Sequence, residues 1–188
     1  METEPKASSA PPVPPRVRSL VLIGFMGTGK SSVGRKVAAS LGFRFVDSDD
    51  VVVQLSGKRI PRLFAEEGEE TFRDWETRAL RHCLENDGQV VATGGGIVVR
   101  EENRELLKRA GHVIWLKADP ESIFRRVAHN RERPLLRTAD PLATIRELFD
   151  SRVALYGACA DEEVDTSHLT LDETIHGVTE SARVALGL

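Results

Sequence analysis

The side chains with the clearest chemical capacity lie in a glycine-rich loop near the start of the chain. Gly24, Gly29, Lys30 and Ser31 fit the spacing G-x-x-x-x-G-K-[ST], between a predicted strand and a predicted helix. Glycines let the N–H groups of such a loop turn toward one concavity and bind phosphate oxygens. The lysine reaches the terminal phosphates, and the serine hydroxyl can bind Mg²⁺. Because a chance match rarely falls between a strand and a helix, the loop predicts a site for a nucleoside triphosphate and magnesium.

Two carboxylates, Asp47 and Asp49, directly follow the second predicted strand. At positions i and i+2 they can divide two tasks, one near the metal and one facing an acceptor hydroxyl. The alternative is a helix start in which Ser48 or Asp49 serves as the N-cap. The residues alone leave both interpretations open.

Three arginines, Arg73, Arg133 and Arg152, are suited to bind anionic groups. Arg73 can hold a carboxylate through two hydrogen bonds with Glu76 to orient it, although an exposed ion pair is the alternative. Arg133 lies in an irregular, arginine-rich stretch. A mobile cover at this point would exclude water and neutralise charge on the γ-phosphate, whereas a solvated surface is the alternative.

Three consecutive glycines, Gly94 to Gly96, follow the third predicted strand. A backbone without side chains allows close approach of a ligand and offers N–H donors to it. Ligands of open α/β sheets bind at the carboxyl ends of strands, so this run is a second candidate for a binding loop.

Short strands alternate with helices along the rest of the chain. Five short strands are predicted: the apolar run Ser19–Phe25, then Phe43–Val46, Val90–Thr93 and His112–Leu116, and a short edge strand at Glu163–Thr166. Helical periodicity predicts helices between them, including separate helices on either side of Gly68. This alternation predicts an α/β fold with one parallel sheet covered by helices on both faces.

Length and composition favour a single domain over residues 18–188, preceded by a disordered proline-rich tail at 1–17. A net charge of -3 gives no indication of a nucleic-acid surface. No apolar run is long enough for a membrane span, and the first residues lack the pattern of a secretory signal, so we expect a cytoplasmic protein. The two cysteines, Cys83 and Cys159, are expected to be reduced.

The motifs taken together resemble those of the shikimate kinase family. The resemblance runs from about Leu20 to Thr166 and is carried by GFMGTGKSSVGR, FVDSD, LFAEEGEETFRDWE, TGGG, RERPLL and SRVALY. It implies the P-loop, nucleoside-monophosphate-kinase-like fold with a five-stranded parallel sheet and a lid at about 129–140. It also implies ATP-dependent phosphorylation of the 3-hydroxyl of shikimate, a step in the biosynthesis of aromatic amino acids.

The resemblance further implies a donor half in which the phosphates of ATP bind Gly27, Thr28, Gly29, Lys30, Ser31 and Ser32. Mg²⁺ is expected to bind Ser31 directly and Asp47 through water. Arg126 is expected near the adenine, and Arg133 on the lid at the phosphates. Lys30 and Arg133 are therefore expected to be catalytic.

In the acceptor half, the resemblance implies that Arg73 and Arg152 hold the carboxylate of shikimate. Gly95 is expected to contact the substrate through its backbone amide. Asp49 is expected to bind the hydroxyls of shikimate and to act as the catalytic base. The partners are thus ATP and shikimate, with no nucleic acid or membrane, and we expect a monomer.

Four positions depart from the family pattern, at three sites along the chain. Ser48 replaces the usual threonine, Thr93 replaces a commonly apolar residue, and His168 and Leu169 stand at two positions where some members have arginines near the adenine.

Two alternatives remain: a gluconate-type carbohydrate kinase on the same fold, and an inactive homologue that serves as a binding protein. The first should lack the pair Arg73 and Arg152, and the second need not keep all the catalytic residues.

Overall fold

A computed structural model describes residues 19–128 and 138–188 of the chain. Within them, the strands are β1 (Ser19–Ile23), β2 (Arg44–Asp47), β3 (Gln89–Ala92), β4 (His112–Lys117) and β5 (Glu162–Asp165). All neighbours pair in parallel, in the order β2-β3-β1-β4-β5. The predicted α/β class and five-stranded parallel sheet are confirmed, and strand bounds differ from the predicted ones by one or two residues.

The helices of the described residues are α1 (Lys30–Leu41), α2 (Ser48–Ser56), α3 (Ile60–Cys83), α4 (Glu101–Leu107), α5 (Pro120–Val127), α6 (Pro141–Gly157) and α7 (Leu171–Leu186). Although α3 is continuous in extent, its backbone leaves the helical conformation at Gly68, with φ 83° and ψ 174°. The prediction of two helical segments that meet at Gly68 is therefore correct. The second segment carries Arg73 and Glu76 on its buried side.

The central strand β1 is buried on both of its faces. Val21 and Ile23 belong to a core that includes residues of α3 and α6, whereas Leu20 and Leu22 belong to a core formed with α1 and α7. A strand covered by helices on both sides is expected to be mostly apolar, and β1 is apolar from Leu20 to Ile23. The continuous apolar run that predicted β1 follows from this two-sided burial.

The order of the strands determines where a ligand can bind. From β1 the chain passes across β3 to reach β2, whereas from β3 it passes across β1 to reach β4. The connections at the carboxyl ends of β1 and β3 therefore diverge, and such a divergence opens a crevice between the loops. The glycine loop after β1 and the run Gly94–Gly96 after β3 face each other there.

Residues outside the site also bear on the sequence predictions. Cys83 and Cys159 are buried free thiols, and burial raises the pKa of the Cys83 thiol to about 11.

Within the described residues, no helix has both the length and the apolar character required to cross a membrane. The predicted tail at 1–17 and residues 129–137 of the predicted lid, with Arg133, lie outside the described ranges.

Candidate active site

The loop between β1 and α1 has a shape that depends on its glycines. Gly24 and Gly27 have positive φ angles of 140° and 77°. A Cβ atom on Gly24 would lie 2.3 Å from the carbonyl oxygen of Leu116, and one on Gly27 would lie 2.6 Å from Cγ1 of Val127. The loop is thus fitted between the end of β4 and α5, in a backbone conformation that side chains rarely allow.

Lys30 is the first residue of α1 and is only 8% exposed. Its Nζ donates hydrogen bonds to the backbone carbonyls of Gly24 and Phe25, at 2.8 and 2.7 Å. The ammonium group is therefore held against its own loop, at the N-terminal end of the helix. Because helix N-termini attract anions, the loop and α1 together form an anion-binding site.

Thr28 has a different position from its neighbours in the loop. Its side chain is buried, and its hydroxyl donates to the carbonyl of Phe25 at 2.9 Å. The hydroxyl thus stabilises the loop itself. The contact of Thr28 with phosphate stays a prediction. Because the hydroxyl is engaged within the loop, the backbone of Thr28 would make this contact.

Ser31 and Asp47 are brought together from separate elements. The Ser31 hydroxyl donates to Oδ2 of Asp47 at 2.7 Å, and Oδ1 of the same carboxylate accepts from the backbone N–H of Asp49 at 3.0 Å. The second contact makes Asp47 the N-cap of α2. The sequence alternative of Ser48 or Asp49 as N-cap is therefore wrong, because the cap lies one residue earlier.

Two carboxylates converge on the backbone of Gly94. A Cβ atom at this position would lie 2.8 Å from Oδ1 of Asp49 and 2.8 Å from Oε1 of Glu76. The absence of a side chain therefore allows both groups to approach one point. Burial raises the pKa of the Glu76 carboxyl, an effect that Arg73 opposes and the charge of Asp49 reinforces.

Arg73 lies almost completely buried beneath the same glycine run. Its Nη1 donates to the buried carboxylate of Glu76, and its Nη2 donates to Oε1 of Glu69 at 2.8 Å. A Cβ atom on Gly96 would lie 2.0 Å from Nη1 of Arg73, so the guanidinium rests directly on this glycine. The alternative considered from the sequence, an exposed ion pair of Arg73 and Glu76, is wrong because both side chains are buried.

Arg152 and Tyr156, both on α6, contact the carbonyl oxygen of Gly95. Nη1 of Arg152 lies 3.4 Å from this oxygen, and the hydroxyl of Tyr156 donates to it as well. Tyr156 is fully buried and stacks on Trp115, with 5.5 Å between the ring centroids. Burial raises the pKa of the Tyr156 hydroxyl, so the hydroxyl remains protonated and fixes the orientation of the Gly95 peptide.

Arg126 is held beside the glycine loop by Thr166. Its Nη1 donates to the Thr166 hydroxyl at 3.0 Å, and its Nη2 donates to the Thr166 carbonyl at 2.5 Å. The preceding turn is fixed by Asp119, which caps α5 and accepts from the N–H of Ser122 at 2.7 Å. These hydrogen bonds lower the pKa of Asp119 to about 2, so the cap stays ionised at neutral pH.

A single cleft of about 350 Å³ joins these groups. It is lined by Met26, Gly27, Gly29, Lys30, Ser31, Ser32, Asp47, Asp49, Thr93, Gly94, Gly95, Arg126 and Val127. Arg73 and Arg152 approach the same place through their contacts with Gly96 and Gly95. Of the predicted site residues, only Arg133 lies outside the described residues.

Comparison of this chain with known proteins indicates its family. The family model described as shikimate kinase matches residues 26–183. A shikimate kinase of Nitrobacter winogradskyi is 50% identical over 139 residues, which cover 74% of this chain and 65% of that relative. The structure of the shikimate kinase from Acinetobacter baumannii in complex with shikimate has a TM-score of 0.85 and 33% identity, covering 89% of this chain and 94% of that one.

The chain belongs to the shikimate kinase family. The predicted enzyme class, an ATP-using kinase of the shikimate pathway, is confirmed. A gluconokinase from Sinorhizobium meliloti also matches, with a TM-score of 0.61 and 19% identity over 92% of this chain. At that identity the likeness concerns the fold alone.

Two departures from the shikimate kinase pattern have a structural account. The hydroxyl of Ser48 accepts from the N–H of Gly94 at 3.0 Å, a bond that threonine would also supply. The hydroxyl of Thr93 donates to the carbonyl of Leu22 at 3.1 Å, and so joins the ends of β3 and β1. Both hydroxyls fix the position of the glycine run relative to its neighbours.

Several residues of this shikimate kinase site were not among the predicted site residues. Gly94 and Gly96 make room for the buried carboxylates and for Arg73, and Tyr156 and Thr166 hold Gly95 and Arg126. The triple glycine was a usable signal for the first two, because a merely flexible turn rarely needs three. The other two act through long-range contacts that carry no local signal.

Proposed function

We propose that this shikimate kinase transfers the γ-phosphoryl group of ATP to the 3-hydroxyl of shikimate, within the cleft between the loops that follow β1 and β3. The observation that carries the proposal is that Lys30 of the donor loop and Asp49 of the acceptor side line one cleft. Phosphoryl transfer is catalysed mainly by positioning and by neutralising charge. A cleft with an anion-binding loop on one side and carboxylates and arginines on the other meets both needs.

On the donor side, the phosphates of ATP bind the backbone of residues 27–32. Gly27, Gly29 and Ser32 line the cleft, which supports contacts of this kind. Lys30 neutralises charge on the β- and γ-phosphates. Arg126, which Thr166 holds beside the loop, lies toward the adenine.

Magnesium has a suitable pair of oxygen atoms at this site. Mg²⁺ is commonly held by one or two protein oxygens together with phosphates and water. The Ser31 hydroxyl and the Asp47 carboxylate, 2.7 Å apart, provide such a pair, with Ser31 as the direct ligand and Asp47 acting through water. When bound, the ion neutralises phosphate charge.

On the acceptor side, Arg73 and Arg152 bind the carboxylate of shikimate and the backbone of Gly95 supports the ring. Arginine is suited to this task because its planar fork can bind a carboxylate through two hydrogen bonds. Both arginines are at most 7% exposed, so their charges act in a poorly solvated environment. Asp49, which lines the same cleft as Lys30, then binds the ring hydroxyls.

The transfer needs no reactant besides ATP and shikimate. The oxygen of the 3-hydroxyl forms a bond to the γ-phosphorus, the bond from this phosphorus to the β,γ-bridging oxygen breaks, and ADP leaves. Asp49 takes the proton of the hydroxyl. We propose that the enzyme is a monomer.

We expect shikimate to be the best acceptor in a panel of anionic polyols. Arg73 and Arg152 provide a double site for a ring carboxylate that a gluconate-type kinase should lack. The measurement is ATP-dependent ADP release with shikimate, quinate and gluconate as acceptors, compared by kcat/KM. Equal activity with gluconate would contradict the acceptor assignment, and no acceptor-dependent ADP release would indicate the inactive homologue.

Gly96→Ala should raise the KM for shikimate by about tenfold or more, since interactions of buried charged groups are worth several kcal/mol. The new Cβ atom would lie 2.0 Å from Nη1 of Arg73, so the guanidinium must leave its position. Steady-state kinetics should show a much smaller change in the KM for ATP. Gly157→Ala is the matched control, because its Cβ atom would lie 3.9 Å from its nearest neighbour. An unchanged KM for shikimate in a stably folded Gly96→Ala protein would contradict the role of Arg73.

A further inference from the structure

The guanidinium of Arg73 is shared between two carboxylates that differ sharply in accessibility. Nη1 binds Glu76, whose side chain is 2% exposed. Nη2 binds Oε1 of Glu69 at 2.8 Å, and the Glu69 side chain is 62% exposed. Glu76 is therefore a fixed partner, because a buried carboxylate that left Arg73 would lose its hydrogen-bonded countercharge. Glu69 can exchange Arg73 for water.

The geometry of a guanidinium makes Nη2 decisive for binding a substrate carboxylate. A carboxylate that binds bidentately uses either the Nη1–Nη2 edge or the Nε–Nη2 edge. Glu76 holds Nη1, whereas Nε of Arg73 has no hydrogen-bond partner among the described residues. On the Nε–Nη2 edge, Glu69 therefore occupies Nη2, whereas Nε has no partner among the described residues.

Glu69 also lies where movement requires little rearrangement. It directly follows Gly68, at which the backbone of α3 leaves the helical conformation. Its side chain is exposed and forms an ion pair with Arg73. The next residue, Glu70, is exposed as well but binds Arg100 at 3.0 Å on a different part of the surface.

We propose that Glu69 occupies Nη2 of Arg73 in the free enzyme, competes with the carboxylate of the acceptor for this donor, and is displaced when the acceptor binds. The proposal rests on the assignment of Arg73 to the acceptor carboxylate. An anionic acceptor replaces one carboxylate by another on Nη2. A neutral acceptor leaves Glu69 in place, so the cost of displacing Glu69 falls on anionic acceptors alone and lowers their affinity.

The test is Glu69→Gln, with Glu70→Gln as the matched control. We expect Glu69→Gln to lower the KM and the Kd for shikimate about two- to fivefold, which is the range of an exposed ion pair. The KM for ATP and kcat should stay within twofold, and Glu70→Gln should resemble the wild type. The difference between Glu69→Gln and wild type should shrink in 1 M salt, because exposed charges are then screened.

A second variant, Glu69→Asp, keeps the charge on a shorter side chain and should give an intermediate KM. An unchanged or raised KM for shikimate in Glu69→Gln would overturn the proposal, because Glu69 would then be neutral or would orient Arg73 for binding. Failure of the wild-type enzyme to use shikimate would instead overturn the proposed function. The two failures are therefore distinguished by the wild-type assay.

Discussion

Lys30→Met is expected to lower kcat by about 10³-fold or more, the scale of a lost charge at the transferring phosphoryl group. Lys30 is the basic side chain of the donor loop that lines the cleft, and its burial strengthens its interaction with phosphate charge. Methionine keeps the length and apolar stem of lysine but has no charge and no N–H donors. The measurement is kcat for ADP release at saturating ATP and shikimate, down to the background of ATP hydrolysis.

The control for this substitution is Lys36→Met, an exposed lysine on the same helix. Lys30 also bonds the carbonyls of Gly24 and Phe25, so its loss could loosen the loop as well as remove a charge. The thermal unfolding midpoint and the affinity for ADP separate these effects. A kcat within tenfold of wild type would show that Lys30 does not neutralise charge in the transition state.

Asp49→Asn is expected to lower kcat by about 10²–10⁴-fold, the usual contribution of a general base. The amide keeps the size of the side chain and one oxygen acceptor but cannot take the hydroxyl proton. Because Asn can still bind hydroxyls, the KM for shikimate should change by only a few-fold. The measurement is the separation of kcat from KM in steady-state assays with shikimate varied.

Asp50→Asn is the control, since Asp50 is exposed and lies outside the cleft on the same turn of α2. A second carboxylate, Glu76, approaches the same point on Gly94 and could take over part of the task. The double variant with Glu76→Gln should therefore be compared if residual activity is high. A kcat within a few-fold of wild type in both Asp49→Asn and the double variant would show that Asp49 binds the acceptor without acting as its base.

The sheet and the donor loop were predictable because their signals are local. Strand β1 is apolar from Leu20 to Ile23 because helices cover both of its faces, and glycines of the loop have backbone angles that other residues avoid. The break at Gly68 was predictable for the same reason. In each case the residues that give the signal are the same residues that adopt the predicted structure.

The acceptor side depends on contacts that a local pattern cannot show. Tyr156 and Gly95 are 61 positions apart, and Thr93 and Leu22 are 71 apart. The N-cap of α2 was uncertain for another reason, since Asp47, Ser48 and Asp49 are all good caps and tertiary contacts decide among them. For Asp49, Arg73, Gly95 and Arg152, the resemblance to a family supplied roles that spacing alone left open.

The site occupies one end of the sheet, and the opposite end is therefore available for engineering. The amino ends of β2 and β3 follow turns at Gly42 and Gly88, where an added Cβ atom would have open space around it. Exposed turns far from a functional site tolerate insertions and new chain ends well. A fluorophore or an affinity peptide attached at residues 86–88 would report on the enzyme, or immobilise it, while the cleft remains open to both substrates.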